Sequence, residues 1–371
     1  MELNVSIKPG NRIRAIYLFF IIISVQIGVG IIGAPRFIYM EAERSAWLSI
    51  LIAFLYICVL VSCMLIILKK YDNADLLGIQ VDLFGNFFGK LLGIVFLVHL
   101  GLSMMSILLT YIQVIQLFLY HAMPNLLITS LIMILVLYTV YGGIRVIVGV
   151  TFILFLITMW ILTVLYDPFL RANWYNLLPL FDSSLPDILK GTRATSYTLA
   201  GFEILWLIYP FIQNKNKVRL PIFLGLAFTT IILLVVTVLS ISYFSAEGLK
   251  TIDWAVLILV KNASFTFLER LDYIVVVMWL MIILPNLTLL MWGMTFGAKR
   301  LFKVPQKISI WILTVLILIL VNFFHYDYQI TKVTDLVARF GFWITYVYPF
   351  LLLPIVLIKK RQKKPKGSDK Q

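Results

Sequence analysis

The chain has 371 residues, of which 62% are hydrophobic and only 13% are charged, and its mean hydropathy is +1.00. This composition is typical of a polytopic membrane protein and excludes a soluble enzyme. The formal net charge of +14 does not indicate nucleic-acid binding, because the basic residues are concentrated in short segments between the apolar runs and after the last run.

The first apolar segment, residues 13–39, contains the run QIGVGIIGAP at residues 26–35. Each of its three glycines weakens a helix by about 1 kcal/mol relative to alanine, and Pro35 lacks a backbone donor. Freed backbone groups need partners in lipid, so the run predicts a broken helix that lines a cavity. A half-helix that begins near Gly33 would turn its N-terminal amides toward this cavity, which suits a carboxylate. The alternative is a stripe of small residues for close helix packing.

Apolar runs of about 20 residues predict ten membrane spans. The spans cover residues 13–39, 46–68, 89–120, 125–141, 145–166, 191–212, 220–244, 270–298, 308–324 and 334–358. An even number of spans puts both termini on one side, and that side then holds 21 of the 31 Lys and Arg residues. The positive-inside rule therefore places both termini in the cytoplasm, where residues 361–371 form a basic tail that contacts membrane lipids.

Two predicted outer loops, residues 167–190 and 245–269, are unusually long. They are either lids, a docking surface or connectors that rest on lipid headgroups. The second loop contains residues 254–261, which are apolar enough to form a short helix lying in the membrane interface.

The sixth span contains a second candidate interruption, because residues 197–203 place Gly201 and Glu203 near the middle of the membrane. Spans one and six occupy corresponding positions if the chain consists of two five-span repeats, at about 13–166 and 191–358. Broken helices at matching positions of two halves predict a ligand site at the membrane midplane between inverted repeats.

Both interruptions carry a family resemblance. Gly28-Val29-Gly30-Ile31-Ile32-Gly33 resembles the Gly-X-Gly-Ile-X-Gly of amino acid–polyamine–organocation permeases, and Ala200-Gly201-Phe202-Glu203 resembles their Gly-Phe-Glu. Within this superfamily, the chain resembles the B subunit of spore-germination nutrient receptors. That narrower resemblance rests on the compact ten-span size, the basic tail and the segments Ala34-Pro35-Arg36, Trp47, Gly89-Lys90 and Tyr141-Gly142-Gly143.

The resemblance implies an all-α transmembrane domain, residues 1–360, with a LeuT-like five-plus-five inverted repeat. It also implies a pocket for a small nutrient, such as an amino acid, that is walled by spans one, three, six and eight. The implied binding residues are Gly28, Val29, Gly30, Ile31, Ile32 and Gly33 for a ligand carboxylate; Leu199, Ala200, Gly201, Phe202 and Glu203 opposite them; Ser103, Met104 and Ile107 in span three; and Asn286, Thr288 and Leu290 in span eight.

Four polar residues in these spans leave alternatives open. A carboxylate near the bilayer centre costs several kcal/mol unless it is paired, protonated or hydrated. Glu203 therefore either binds a ligand amine, relays protons or latches onto the broken backbone of span one. Asn286 and Thr288 either cap the kink at Pro285 or contact the ligand. No functional role is expected for His99, and a position in a water path along span three is the alternative.

The function that follows is nutrient sensing, with a coupled amino-acid permease as the alternative and a structural scaffold as a third class. Proton-coupled relatives often carry a lysine in span five, and sodium-coupled relatives carry clustered hydroxyls in span eight. Residues 151–166 contain no charged residue, and span eight offers only Thr288 and Thr295, so sensing or passive conduction is favoured. No catalytic, metal or phosphate motif occurs, which predicts a protein without enzymatic activity or cofactor. The resemblance implies a larger membrane A subunit and a lipoprotein C subunit as partners in the spore inner membrane.

Overall fold

The computed structural model describes residues 2–263, 271–324 and 326–359. These residues form helices joined by loops, and the β pairing among them is limited to two isolated bridges, Asn4–Ala74 and Ile13–Ile212. The predicted fold class, an all-α polytopic membrane protein, is confirmed. The basic tail at residues 361–371 lies outside the described residues.

The first half of the chain contains seven α-helices within the described ranges. They are α1 (Tyr17–Gln26), α2 (Gly30–Ala42), α3 (Ala46–Tyr71), α4 (Leu76–Phe118), α5 (Asn125–Tyr141), α6 (Gly143–Thr158) and α7 (Tyr166–Arg171). A 3-10 helix, Met159–Leu165, continues α6 to the start of α7.

The second half follows with α8 (Leu185–Thr198), α9 (Leu205–Ile208), α10 (Arg219–Tyr243), α11 (Ala246–Thr251), α12 (Ala255–Asn262), α13 (Leu271–Phe302), α14 (Gln306–Val321), α15 (Asp327–Gly341) and α16 (Tyr348–Ile358). Short 3-10 helices, Phe202–Ile204 and Tyr209–Phe211, flank α9. A π-helix, Phe342–Val347, joins α15 to α16.

Six described helical segments are long and apolar enough to cross a membrane, as expected of an integral membrane protein. They are Gly30–Tyr71, Leu76–Phe118, Gly143–Arg171, Lys215–Tyr243, Leu271–Phe302 and Asp327–Ile358. Tyr17–Gln26, Asn125–Tyr141, Phe202–Phe211 and Gln306–Val321 are shorter apolar helices. The count of ten crossings stays a prediction.

The helix that contains predicted span three begins 13 residues earlier than expected, at Leu76 instead of residue 89. The side chain of Asp75 accepts a hydrogen bond from the amide of Gly78 at 2.7 Å, which caps the first turn. Gly85, with φ +80°, then bends the helix before the apolar run starts. Hydropathy alone missed this first section because it is less apolar than the span itself.

The predicted interfacial helix at residues 254–261 exists as α12, but its predicted location is wrong. Five of its eight residues are buried, and it packs against α2, α10 and α13. Its apolar side chains therefore stabilise the protein interior at the end of α2 instead of lying among lipid headgroups.

Both ends of the described chain pack against the same segment, residues 70–82. Near the N-terminus, Asn4 forms a bridge with Ala74. Near the C-terminus, the Lys359 ammonium pairs with the Asp82 carboxylate at 3.1 Å. The two ends therefore lie on the same face of the molecule.

Basic residues of two helix ends share this face. Arg300 at the end of α13 donates to Asp75 at 2.8 Å and to the Glu2 carbonyl at 2.8 Å. Arg145 donates to the Gly10 carbonyl at 3.1 Å. These contacts group the basic residues with the N-terminal segment, as the charge distribution of the sequence predicts.

Candidate functional site

The first span is interrupted between α1 and α2. Helix α1 ends at Gln26, Ile27 is extended, and α2 begins at Gly30 without a side-chain hydrogen bond at its N-cap, Val29. The first N–H groups of a helix have no partner within the helix, so this end presents free donors and the positive end of the helix dipole. The half-helix begins three residues before the predicted Gly33, and Pro35 lies inside it.

The sixth span is interrupted between Thr198 and Phe202, and its geometry requires a glycine. Gly201 has φ +106°, a region that side-chain-bearing residues rarely adopt. A Cβ at this position would lie 2.5 Å from the carbonyl oxygen of Val25. Gly201 therefore lets the backbone of the second interruption touch the backbone of the first.

Two amide side chains connect the interrupted spans. The Gln26 Nε2 donates to the carbonyl of Leu199 at 2.7 Å, which links span one to span six. The Asn286 Nδ2 donates to the carbonyl of Val25 at 3.1 Å, which links span eight to span one. Each bond satisfies a carbonyl that a continuous helix would have paired internally.

Glu203 uses both carboxylate oxygens in contacts inside the protein. One oxygen lies 3.0 Å from His99 Nε2, and the other accepts from the Gly201 amide at 2.8 Å. The two side chains are only 3% and 4% exposed, so the pair is shielded from water. Of the three alternatives for Glu203, the latch has a counterpart in these contacts, but the amide that it holds belongs to span six and not to span one.

A cavity of about 70 Å³, here called the polar cavity, lies where the interruptions meet. Ten predicted residues line it: Gly28, Val29, Gly30, Ser103, Ile107, Ala200, Gly201, Glu203, Asn286 and Leu290. The four spans that were predicted to form the pocket, one, three, six and eight, thus all contribute to one cavity. The roles of these residues in ligand binding are part of the proposal below.

Six predicted residues of the same spans lie outside the polar cavity. Ile32, Leu199 and Phe202 are buried in the core, and the Thr288 hydroxyl donates to the Pro285 carbonyl at 2.9 Å, where it caps the kink. Ile31 lines a different cavity, and a Cβ on Gly33 would lie 3.0 Å from the Asp253 carbonyl. Met104, which the family resemblance also suggested, is fully buried. The placements of Ile31, Ile32 and Gly33 follow from the early start of α2, because the residues after Gly30 belong to a regular helix.

The sequence did not reveal the wall that span ten supplies. Val337, Ala338 and Gly341 of α15 and Phe342, Thr345 and Tyr346 of the π-helix line the polar cavity. π-Helices are frequent at functional sites, but no pattern in the sequence predicted this one. The Tyr346 hydroxyl donates to the Ser196 carbonyl at 2.7 Å, which holds this wall against span six.

Hydroxyl groups join three helices beside the polar cavity. The Ser106 hydroxyl lies 2.8 Å from the Tyr197 hydroxyl and 3.1 Å from the Thr334 hydroxyl. Ser106 belongs to α4, Tyr197 to α8 and Thr334 to α15. These hydrogen bonds connect three helices that each contribute residues to the lining of the polar cavity.

The polar cavity offers complementary groups to a small zwitterion. The open N-terminus of α2 provides donors for a carboxylate. Gln26 Oε1 and His99 Nδ1 have no hydrogen-bond partner within the described structure, although both residues are at least 97% buried. Ile107, Leu290 and Phe342 supply apolar surface. Among the described residues, no group of three His, Cys, Asp or Glu side chains is placed to hold a metal ion.

Solved structures support the fold. The crystal structure of MhsT in complex with L-phenylalanine matches with a TM-score of 0.58 and 16% identity, over 96% of this chain and 89% of that one. At this identity the match speaks for the fold alone. The resemblance to LeuT-like permeases is confirmed at the level of architecture.

Curated relatives support the family. Spore germination protein GerQB of Bacillus cereus is 30% identical over 346 residues, covering 93% of this chain and 95% of that protein. Spore germination protein B2 of Bacillus subtilis (strain 168) is 22% identical over 360 residues, covering 95% and 98%. The family model described as "Spore germination protein" matches residues 12–360. The chain therefore belongs to the spore germination protein family of permease-like membrane proteins.

Proposed function

We propose that this chain is the nutrient-sensing subunit of a spore germinant receptor. It binds a small nutrient, with an amino acid as the favoured class, in the polar cavity and transmits a conformational signal that triggers germination. The family membership supports the germination role, and the cavity supports the binding role.

The observation that carries the proposal is the open N-terminus of α2 at the polar cavity. Val29 provides no side-chain cap, whereas the neighbouring interruption is capped by Glu203. A helix end without a cap gains stability from an anion, and a ligand carboxylate supplies one. Binding at this end would order the contact between spans one and six, which gives the ligand a differential effect on conformation.

The proposed setting is a receptor complex in the spore inner membrane with both termini in the cytoplasm. The shared face of the two chain ends and the basic residues on it support this orientation. A larger membrane A subunit and a lipoprotein C subunit are the proposed partners, on the strength of the family resemblance. The signal would pass to them from the helices that surround the polar cavity.

Germination of spores that lack this chain tests the proposal. Spores without the gene should lose their response to at least one nutrient in a panel of neutral amino acids, sugars and nucleosides. A copy of the gene at another locus should restore that response. An identical response of mutant and parent spores to every nutrient would contradict the proposal.

A proton-coupled amino-acid permease is the second candidate, and the buried His99–Glu203 pair favours it. A carboxylate and an imidazole 3.0 Å apart can exchange a proton when the membrane spans rearrange. Uptake of radiolabelled amino acids into proteoliposomes, with and without a pH gradient, separates the two functions. A receptor should bind without gradient-driven accumulation, whereas a coupled permease should accumulate its substrate.

A further inference from the structure

A second cavity of about 70 Å³, here called the apolar cavity, touches a different face of the span-one interruption. Ser24, Ile27 and Ile31 line it, whereas Val25, Gln26 and Gly28 line the polar cavity. The neighbouring walls come from the end of span five, from α10, from α12 and from the first half of α13. The same three-residue interruption thus separates two cavities.

The wall of the apolar cavity is built from aliphatic and aromatic side chains and contains no charged residue. A cation or a zwitterion would lose its hydration there without compensation. Its polar groups are few. The Thr158 hydroxyl donates to the Leu154 carbonyl at 2.8 Å, so its proton is already used.

One donor in this wall has no acceptor within the described structure. The indole Nε1–H of Trp279 has no hydrogen-bond partner, although this residue is only 5% exposed. A buried indole N–H usually finds an acceptor. The Ser24 hydroxyl adds a second polar group to the same wall.

We propose that the apolar cavity is a binding site for a small apolar molecule that carries one hydrogen-bond-accepting oxygen, such as a short aliphatic alcohol or ketone. The cavity volume of about 70 Å³ limits the occupant to a small molecule. The oxygen accepts from the Trp279 indole after a small rotation of the ring, and the carbon atoms contact the aliphatic wall.

A molecule at this site would contact the span-one interruption on the face opposite the polar cavity. Ile27 lies in the interruption, Ile31 follows it in α2, and Pro285, at the kink of α13, completes this wall. The next residue, Asn286, lines the polar cavity and holds the Val25 carbonyl. Both cavities thus share two structural elements, the span-one interruption and the α13 kink.

Photolabelling with 3-azibutanol, a four-carbon alcohol that carries a diazirine, tests the proposal on the purified full-length protein in lipid nanodiscs. Mass spectrometry should place the label in residues 24–31, 158–165, 232–236 or 279–285. Trp279→Phe should reduce this labelling about fivefold through loss of the donor. Val236→Phe, which fills the cavity from α10, should nearly abolish it.

Trp311→Phe is the matched control, because Trp311 is 55% exposed on α14 and lies outside both cavities. Its labelling of the cavity segments should equal that of the wild type. Two results would overturn the proposal. One is labelling confined to outward-facing helix surfaces, and the other is cavity labelling that Trp279→Phe and Val236→Phe both leave unchanged in protein of normal thermal stability.

Discussion

The interruptions of spans one and six lie in contact with each other, but their backbone groups are satisfied differently. In span six, the Glu203 carboxylate accepts from the Gly201 amide, and Gln26 donates to the Leu199 carbonyl. In span one, the start of α2 has no side-chain cap, although Asn286 donates to the Val25 carbonyl on the α1 side. One interruption is closed by the protein itself, and the other keeps its donors for a ligand.

This difference distinguishes an interruption that the protein itself stabilises, in span six, from an interruption that is open to a ligand, in span one. A buried group that already has a partner gains little from a ligand, whereas an unpaired donor gains the full hydrogen bond. The family motif covers both breaks equally, so the sequence suggested the same role for both. Substitutions in span six should therefore affect folding first, and substitutions in span one should affect the nutrient response first.

Gly201→Ala should have the largest effect, and the effect should be on stability. The positive φ and the 2.5 Å approach of the new Cβ to the Val25 oxygen together cost about 3 kcal/mol. Thermal unfolding of the purified protein measures the loss. Gly149→Ala is the control, because a Cβ there meets no atom within 4 Å, and its stability should equal or exceed that of the wild type. Equal stability of both variants would refute the structural assignment of span six.

Gly30→Leu should abolish the nutrient response without removing the protein from the membrane. A Cβ at Gly30 lies 3.2 Å from the Tyr197 ring, and the rest of the leucine side chain would occupy the polar cavity. Germination dose–response with immunoblots measures both quantities. Gly149→Leu should respond normally. A normal response of Gly30→Leu at normal abundance would remove span one from the site.

Gln26→Leu should weaken the contact between the two breaks. It leaves the Leu199 carbonyl without its donor, a loss of about 1–3 kcal/mol. Thermal unfolding measures this loss. Gln113→Leu makes the same change where the amide donates to Asp327 at an exposed site, and its stability should stay within about 0.5 kcal/mol of the wild type. An unchanged stability of Gln26→Leu would show that this bond does not join the breaks.

Glu203→Gln should have the smallest effect of the four. The amide keeps the shape and one acceptor but loses the charge, so the stability should fall by about 1 kcal/mol. The nutrient midpoint should stay within about twofold, because both oxygens already have hydrogen-bond partners inside the protein. A double-mutant cycle with His99→Gln measures the coupling of the pair. A midpoint shifted more than about tenfold at unchanged stability would place Glu203 in contact with the nutrient.

Sequence patterns predicted the parts of the site that are local in the chain. Glycine spacing located Gly28, Gly30 and Gly201, and hydropathy located the helices that carry them. The start of α2 was misplaced by three residues, since nothing in the run distinguishes Gly30 from Gly33 as the first helical residue. Ile32 and Gly33 were therefore assigned to the site, although they are buried in α2 outside the polar cavity.

The remaining parts depend on contacts between distant residues. His99 and Glu203 are 104 positions apart, and their pairing emerges only when α4 packs beside span six. The span-ten wall depends on a π-helix, whose extra residue per turn changes which side chains face the cavity. Helical periodicity assumes 3.6 residues per turn and cannot anticipate such a change.

Ligand-dependent thermal stabilisation of the purified protein tests the central claim most directly. A panel of neutral L-amino acids should be compared with the corresponding amino-acid amides, which lack the carboxylate. At a concentration of about 100 times the dissociation constant, binding adds about 2.7 kcal/mol to the stability of the folded state. The account predicts a shift with at least one amino acid, no shift with its amide, and no shift in Gly30→Leu. An equal shift with acid and amide, or with wild type and Gly30→Leu, would contradict binding of a carboxylate at the open end of α2.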